Sequence, residues 1–272
     1  METRIDAETK QLLEFAETLA EAGREICLEA MKHDPKVQIK PDNSYVTETD
    51  LAIEARLREM IDSTYPNHGV FGEEYGKRNI DQDYVWVLDP IDGTAAFVAG
   101  IPVYGILIGL AREGKPYLGV IDHPATDQRW IGVSGAMALM NGREVRTRPC
   151  STLANAFLTN SNPDFMDQQE SKRFHALRKQ VQYTQYGGSC YAYAMLATGR
   201  TDLAVDSAFD PVDIFACAAV IEGAGGTVTD WDGNTITLSW FGRVLASGSQ
   251  NLHEKALAFL SKVQGESREL TN

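Results

Sequence analysis

Apolar side chains in the first part of the chain recur at helical spacing. Over positions 7–32, Leu12, Phe15, Ala16, Leu19, Ile26 and Ala30 fall on one stripe, which predicts a long amphipathic helix. A second stripe over 48–64 carries Ile53, Leu57, Met60 and Ile61, and Pro66 ends it. Thr47, with Asp50 three residues on, reads as a capping arrangement at its start. The pattern then changes to that of strands. Tyr84–Leu88, Tyr104–Ala111, Tyr117–Asp122, Arg129–Val133, Met137–Met140 and Arg143–Thr147 are short runs rich in apolar, β-branched and aromatic residues. Arg112-Glu113-Gly114-Lys115 and Asn141-Gly142 separate neighbouring runs as hairpin turns. The expectation is an antiparallel meander covered by two helices.

The pattern is interrupted at Thr147–Leu153 by Arg-Pro-Cys-Ser-Thr, and alternation follows. Strands are expected at Ala156–Thr159, Asp202–Val205, Thr227–Thr229 and Val244–Ala246. Helices are expected at Asp164–Gln180, Cys190–Thr198, Val212–Glu222 and Leu252–Val263. The chain is thus read as an α+β half over 1–148 and an α/β half over 149–272. Gly223-Ala224-Gly225-Gly226 follows a helix and precedes a strand, the order of a helix C-cap rather than of a dinucleotide loop.

The chemistry concentrates in Trp86-Val87-Leu88-Asp89-Pro90-Ile91-Asp92-Gly93-Thr94. A strand ends in a carboxylate, Pro90 stops the ladder, and a second carboxylate follows. Gly93 lets the backbone approach a ligand closely, and Thr94 adds a hydroxyl. Two crowded carboxylates repel unless a cation lies between them, and oxygen-only ligands suit a hard ion such as Mg²⁺. A locally capped turn explains the same six residues without a ligand. More carboxylates stand at element boundaries, however: Asp50, Glu73, Glu74 and Asp213.

Composition narrows the choice. With 25 Lys+Arg against 38 Asp+Glu the formal charge is −13, which disfavours a nucleic-acid binder. Hydrophobic residues at 43% and charged residues at 23% are globular values. No apolar run reaches membrane-spanning length, and METRIDAETK lacks a signal-peptide pattern, so a cytoplasmic protein without a membrane partner is expected. The four cysteines form no CxxC pair and are expected as free thiols. The five histidines form neither HxxxH nor HExxH, which removes the usual zinc-hydrolase signature.

Gly72-Glu73-Glu74, Trp86 through Thr94, and Asp213 with Glu222-Gly223-Ala224-Gly225-Gly226 together resemble the inositol monophosphatase superfamily. Within it, Gly119 through Gly132, Tyr186 through Tyr193 and Glu222 through Gly233 are similar to the histidinol-phosphatase branch. Ser189 stands where that branch has Asp, and Asp206 where it has Glu. The resemblance implies a layered αβαβα sandwich of the inositol monophosphatase / fructose-1,6-bisphosphatase type, usually a homodimer. It implies a Mg²⁺-dependent, Li⁺-sensitive phosphomonoesterase acting on a small-molecule phosphate monoester. Histidinol phosphate, from histidine biosynthesis, is the first substrate; an inositol, polyol or sugar phosphate is the alternative.

By the same resemblance, Glu73, Asp89 and the Ile91 carbonyl bind one Mg²⁺, and Asp89, Asp92 and Asp213 a second. Glu73 helps hold a third through water. Asp50 and Thr94 orient and deprotonate the attacking water, and the N–H groups of Gly93 and Thr94 hold the phosphate. Ser189 and Asp206 face the leaving group. Two other readings compete. Haloacid-dehalogenase-type phosphatases use Asp-x-Asp-Gly-Thr, but here Pro90-Ile91 separates the aspartates. The other is a phosphate-binding regulator that kept the fold and lost catalysis.

Overall fold

The computed structural model describes residues 5–41 and 43–261. Helix α1 (Ala7–Ala30) starts where the Asp6 carboxylate accepts the Thr9 N–H at 2.7 Å. Strands β1 (Val37–Ile39) and β2 (Tyr45–Thr47) form a small antiparallel hairpin. Thr47 ends that hairpin and caps α2 (Glu48–Thr64) through the expected capping box with Asp50. The apolar stripes of α1 and α2 bury Leu12, Leu19, Ile53 and Leu57 against one face of a large sheet.

That sheet has eight strands. They are β3 (Gly69–Gly72), β4 (Gly76–Arg78), β5 (Tyr84–Asp92), β6 (Gly105–Arg112), β7 (Lys115–His123), β8 (Gln128–Val133), β9 (Met137–Met140) and β10 (Arg143–Glu144), with α3 (Thr94–Ala99) between β5 and β6. From β5 to β10 each strand pairs antiparallel with the next, as the meander requires. The departure is β3, a strand the pattern does not signal, which lies parallel to β5 and carries β4 at the edge. The last hairpin is shorter than expected, only Arg143 and Glu144 pairing with β9.

A second sheet uses β11 (Phe157–Asn160), β12 (Tyr183–Tyr186), β13 (Leu203–Phe209), β14 (Thr227–Asp230) and β15 (Gly242–Ser247) in the order β12-β11-β13-β15-β14. It is mixed: β11 is parallel to β12 and β13, while β15 is antiparallel to β13 and β14. Between the sheets lie α5 (Ser189–Ala197) and α6 (Pro211–Gly223). Helix α6 is buried on nearly every side because both sheets press on it. Helices α4 (Gln168–Arg178) and α7 (Gln250–Leu260) cover the outer face around Phe174, Trp231 and Leu252. The layers are therefore αβαβα.

Helix α4 begins four residues later than its apolar pattern implies. Pro163–Phe165 forms a 3-10 turn, and Asp167 with Glu170 makes the capping box that starts the helix. Val263, the expected end of the last helix, lies outside the described residues. All four cysteines are free thiols.

Candidate active site

The site gathers where β5, α2 and α6 converge. Strand β5 pairs with β6 through Asp89, and its register shifts before Asp92, because Pro90 has no N–H to continue the ladder. Asp89 is buried, and its Oδ1 has no hydrogen-bond partner. Gly93 then adopts φ 81° and opens α3 at Thr94. Asp213 occupies the first turn of α6, where its Oδ2 accepts the Asp210 N–H at 2.6 Å. Asp92 accepts the Cys190 N–H from the first turn of α5 at 2.5 Å.

Carboxylate oxygens of Asp89, Asp92 and Asp213 lie within 4.8 Å of one another. Burial pushes Asp89 and Asp213 well above the usual carboxylate range, and neighbouring carboxylates add to it. Burial also pushes Asp92 up to about 6. Three crowded, desolvated carboxylates disfavour ionisation unless a cation compensates them. The unpartnered Asp89 Oδ1 and the all-oxygen donor set fit a hard divalent ion. The trio can therefore hold a metal.

Thr94 Oγ1 lies 3.0 Å from the Ile91 carbonyl oxygen and 3.3 Å from Asp50 Oδ1, both acceptors for its one proton. The other Asp50 oxygen is held by the Thr47 N–H at 2.8 Å and the Thr47 hydroxyl at 2.5 Å. Burial raises the Asp50 pKa despite these bonds.

Glu73 stands apart from the trio. Its Oε1 pairs with Lys40 Nζ at 2.9 Å, and Lys40 also meets Glu74 Oε1 at 2.8 Å. Glu73 is nonetheless near enough for its charge to raise Asp89. Sequence reading missed Lys40, which comes from the turn after β1 and has no local signal of its partners.

Ser189 opens α5 in the left-handed region, φ 44°, and its Oγ leans over Gly93, where a Cβ would be 2.6 Å away. Asp206 is placed differently from its expected role. Its carboxylate accepts from Asn160 Nδ2 at 2.9 Å, the Ser161 N–H at 2.7 Å and the Tyr193 hydroxyl at 2.7 Å, and the residue is 2% exposed. These donors enclose it rather than leave it open to a ligand.

Burial raises Asp206 to about 7, so the folded chain binds a proton there more tightly than the unfolded chain. The resulting stability is full below the ordinary carboxylate pKa and is lost as pH rises through about 7. In chelator, the melting temperature of Asp206→Asn relative to wild type is expected to be higher at pH 7.5 than at pH 4.5. A constant difference would show that Asp206 does not titrate in this range.

Fold and site together define a class, an αβαβα sandwich with an acidic centre able to hold a metal. The chain belongs to the inositol monophosphatase family, whose profile matches residues 8–264. It is 38% identical over 264 residues to a bifunctional phosphatase, IMPL2, of Arabidopsis thaliana chloroplasts, covering 94% of this chain and 76% of the relative. It is 34% identical to a histidinol-phosphatase of Streptomyces coelicolor, covering 92% of this chain and 97% of that enzyme. A solved inositol monophosphatase from Zymomonas mobilis superposes with a TM-score of 0.85 at 33% identity, covering 94% of this chain and 99% of that one. The chain is thus a phosphoric monoester hydrolase acting on small phosphate monoesters. No helix among the described residues is long and apolar enough to cross a membrane.

Proposed function

We propose that the enzyme hydrolyses histidinol phosphate with Mg²⁺. Glu73, Asp89 and the Ile91 carbonyl would hold one ion, Asp89, Asp92 and Asp213 a second, and Glu73 through water a third. When bound, these ions supply charge neutralisation for the phosphate and acidify water. The observation that carries the hydrolytic reading is the aspartate trio, Asp89 buried and Asp92 and Asp213 half-buried, beside the Thr94–Asp50 pair.

The side chains divide the remaining work. Thr47 holds one Asp50 oxygen, which leaves Oδ1 to face Thr94. A water bound at the Thr94 hydroxyl gives its proton toward Asp50 as its oxygen attacks phosphorus. Burial raises the basicity of Asp50 above that of a solvated carboxylate, which suits it to this task. The N–H groups of Gly93 and Thr94 hold phosphate oxygens, and the P–O bond to the alcohol breaks as the new one forms. The departing oxygen takes a proton from solvent water, Asp50 returns its proton to solvent, and phosphate and the free alcohol leave. The reading extends to a cytoplasmic, lithium-sensitive homodimer on family resemblance alone.

The substrate reading rests on similarity to histidinol-phosphatases. One observation favours an inositol phosphate instead: position 189, against Gly93, carries a neutral hydroxyl rather than the carboxylate an ammonium substrate would pair with. Measuring kcat/KM for histidinol phosphate and inositol 1-phosphate side by side decides between them. Wild type should prefer histidinol phosphate and lose both activities on metal removal. Ser189→Asp should raise kcat/KM for histidinol phosphate by about ten- to a hundredfold, the value of a charge-assisted hydrogen bond, and leave inositol 1-phosphate unchanged. Asp is tolerated in the left-handed conformation that position 189 adopts. A gain on inositol 1-phosphate would overturn the histidinol assignment, and undiminished activity after exhaustive chelation would overturn the metal.

A further inference from the structure

Glu54 lies one helical turn beyond Asp50 on α2 and is fully buried. Its carboxylate is spent on the turn between β3 and β4. Oε2 accepts the Glu74 N–H at 2.7 Å, and Oε1 accepts the Tyr75 N–H at 3.1 Å and Arg58 Nε at 2.7 Å. Arg58, from the same helix, also donates to the Gly76 carbonyl. The Glu73 N–H donates to the Leu88 carbonyl at 3.1 Å, beside Asp89. Three successive amides, of Glu73, Glu74 and Tyr75, are therefore bonded, two of them to one side chain. Room for that side chain exists because position 72 is glycine: a Cβ there would lie 1.9 Å from Glu54 Oε1.

We propose that Glu54 is a positioning residue that presents Glu73 to the metal centre. The inference rests on the metal reading above. Glu73 is the one expected ligand carried on a turn rather than on a strand end or helix start, so its own element does little to fix it. Helix α2 fixes it from outside. Asp50 reaches the Thr94 hydroxyl from one turn of α2, and Glu54 holds the Glu73–Tyr75 backbone from the next. One rigid helix thus sets the spacing between the water-orienting pair and the Glu73 carboxylate. With its backbone held, what is left free in Glu73 is its side chain, which here pairs with Lys40.

Glu54→Gln removes the charge and turns an amide N–H₂ toward the Glu74 or Tyr75 N–H. Gly72→Ala keeps every charge and displaces the same carboxylate. Each is expected to weaken Mn²⁺ binding, measured by calorimetry or electron paramagnetic resonance, by about ten- to a hundredfold, the usual cost of losing a group that orients a metal ligand. In a Glu73→Gln background neither should weaken it further. Should Glu54→Gln not fold, Gly72→Ala carries the test. Amide exchange in the metal-free wild type is a further check: the Glu74 and Tyr75 N–H groups should exchange as slowly as those of β3. Wild-type Mn²⁺ affinity in the folded variants, full additivity with Glu73→Gln, or fast exchange at both amides would overturn the proposal. Unchanged Mn²⁺ affinity in Glu73→Gln itself would instead overturn the ligand assignment on which it rests.

Discussion

Asp89→Asn is expected to lower kcat/KM at least about a hundredfold on any phosphate monoester the enzyme accepts, while the melting temperature in chelator stays level or rises. Asparagine is nearly isosteric and keeps a carbonyl oxygen at the position, so packing is little disturbed. It removes a charge that is expensive where it stands. Asp89 is buried, one of its oxygens has no partner, and Glu73, Asp92, Asp213 and Asp50 all push its pKa upward. Without metal, these repulsions oppose folding, and the amide relieves them. With metal, a carboxylate proposed to bridge two ions is gone from both. Losing a residue that merely orients a ligand costs about ten- to a hundredfold, so losing the ligand sits at or beyond the upper end. Melting curves and steady-state rates on the same preparations check both halves. A large fall in the chelated melting temperature would instead make Asp89 a structural turn residue.

What was legible in the chain follows from how local each signal is. Helices α1 and α2 and the meander from β5 to β9 are written in contiguous periodicity with caps and turns between them. Strand β3 is not. Its four residues, Gly-Val-Phe-Gly, are all buried and show no alternation, and only pairing with β5 on one side and β4 on the other makes them a strand. Strand β12, Tyr-Thr-Gln-Tyr, is a largely exposed edge whose polarity hides it. Helix α3 is six residues long and depends on the left-handed Gly93 before it.

The site divides in the same way. Asp89-Pro-Ile-Asp92-Gly-Thr94 stands out because its groups are adjacent in sequence. Asp50 and Asp213 are ordinary first-turn acids until the fold brings them in, and resemblance to a family is what marked them. Lys40, Glu54 and the enclosure of Asp206 by Asn160, Ser161 and Tyr193 depend on contacts between distant elements, which no window of sequence displays.

The largest effect on stability is expected from Gly119→Ala. Gly109, Gly119 and Gly132 lie directly opposite one another across β6, β7 and β8. They form a row without side chains, and α6 seats its backbone on it. A Cβ at Gly119 would lie 2.2 Å from the Ala216 carbonyl oxygen, one at Gly132 2.5 Å from Val220 Cα, and one at Gly109 3.1 Å from the Ala216 N. A helix backbone cannot yield as a side-chain tip can, so α6 must lift away from the sheet. Overpacking of this kind costs about 1–3 kcal/mol, with backbone contacts at the upper end. At about 2–4 °C per kcal/mol for chains near this size, the melting temperature should fall by roughly 6–12 °C. Because Asp213 sits in the first turn of α6, Mn²⁺ affinity should fall with it. Gly23→Ala is the control: its Cβ would meet only side-chain methyl groups, the Ile106 Cδ1 tip at 3.1 Å being the nearest and Ile53 Cγ2 at 3.4 Å the next, and alanine is favoured over glycine by about 0.8–1 kcal/mol in a helix interior. That variant should melt at or above the wild-type temperature. If Gly119→Ala keeps wild-type stability and metal affinity, α6 does not rest on the glycine row, and the depth of the aspartate trio must be set by something else.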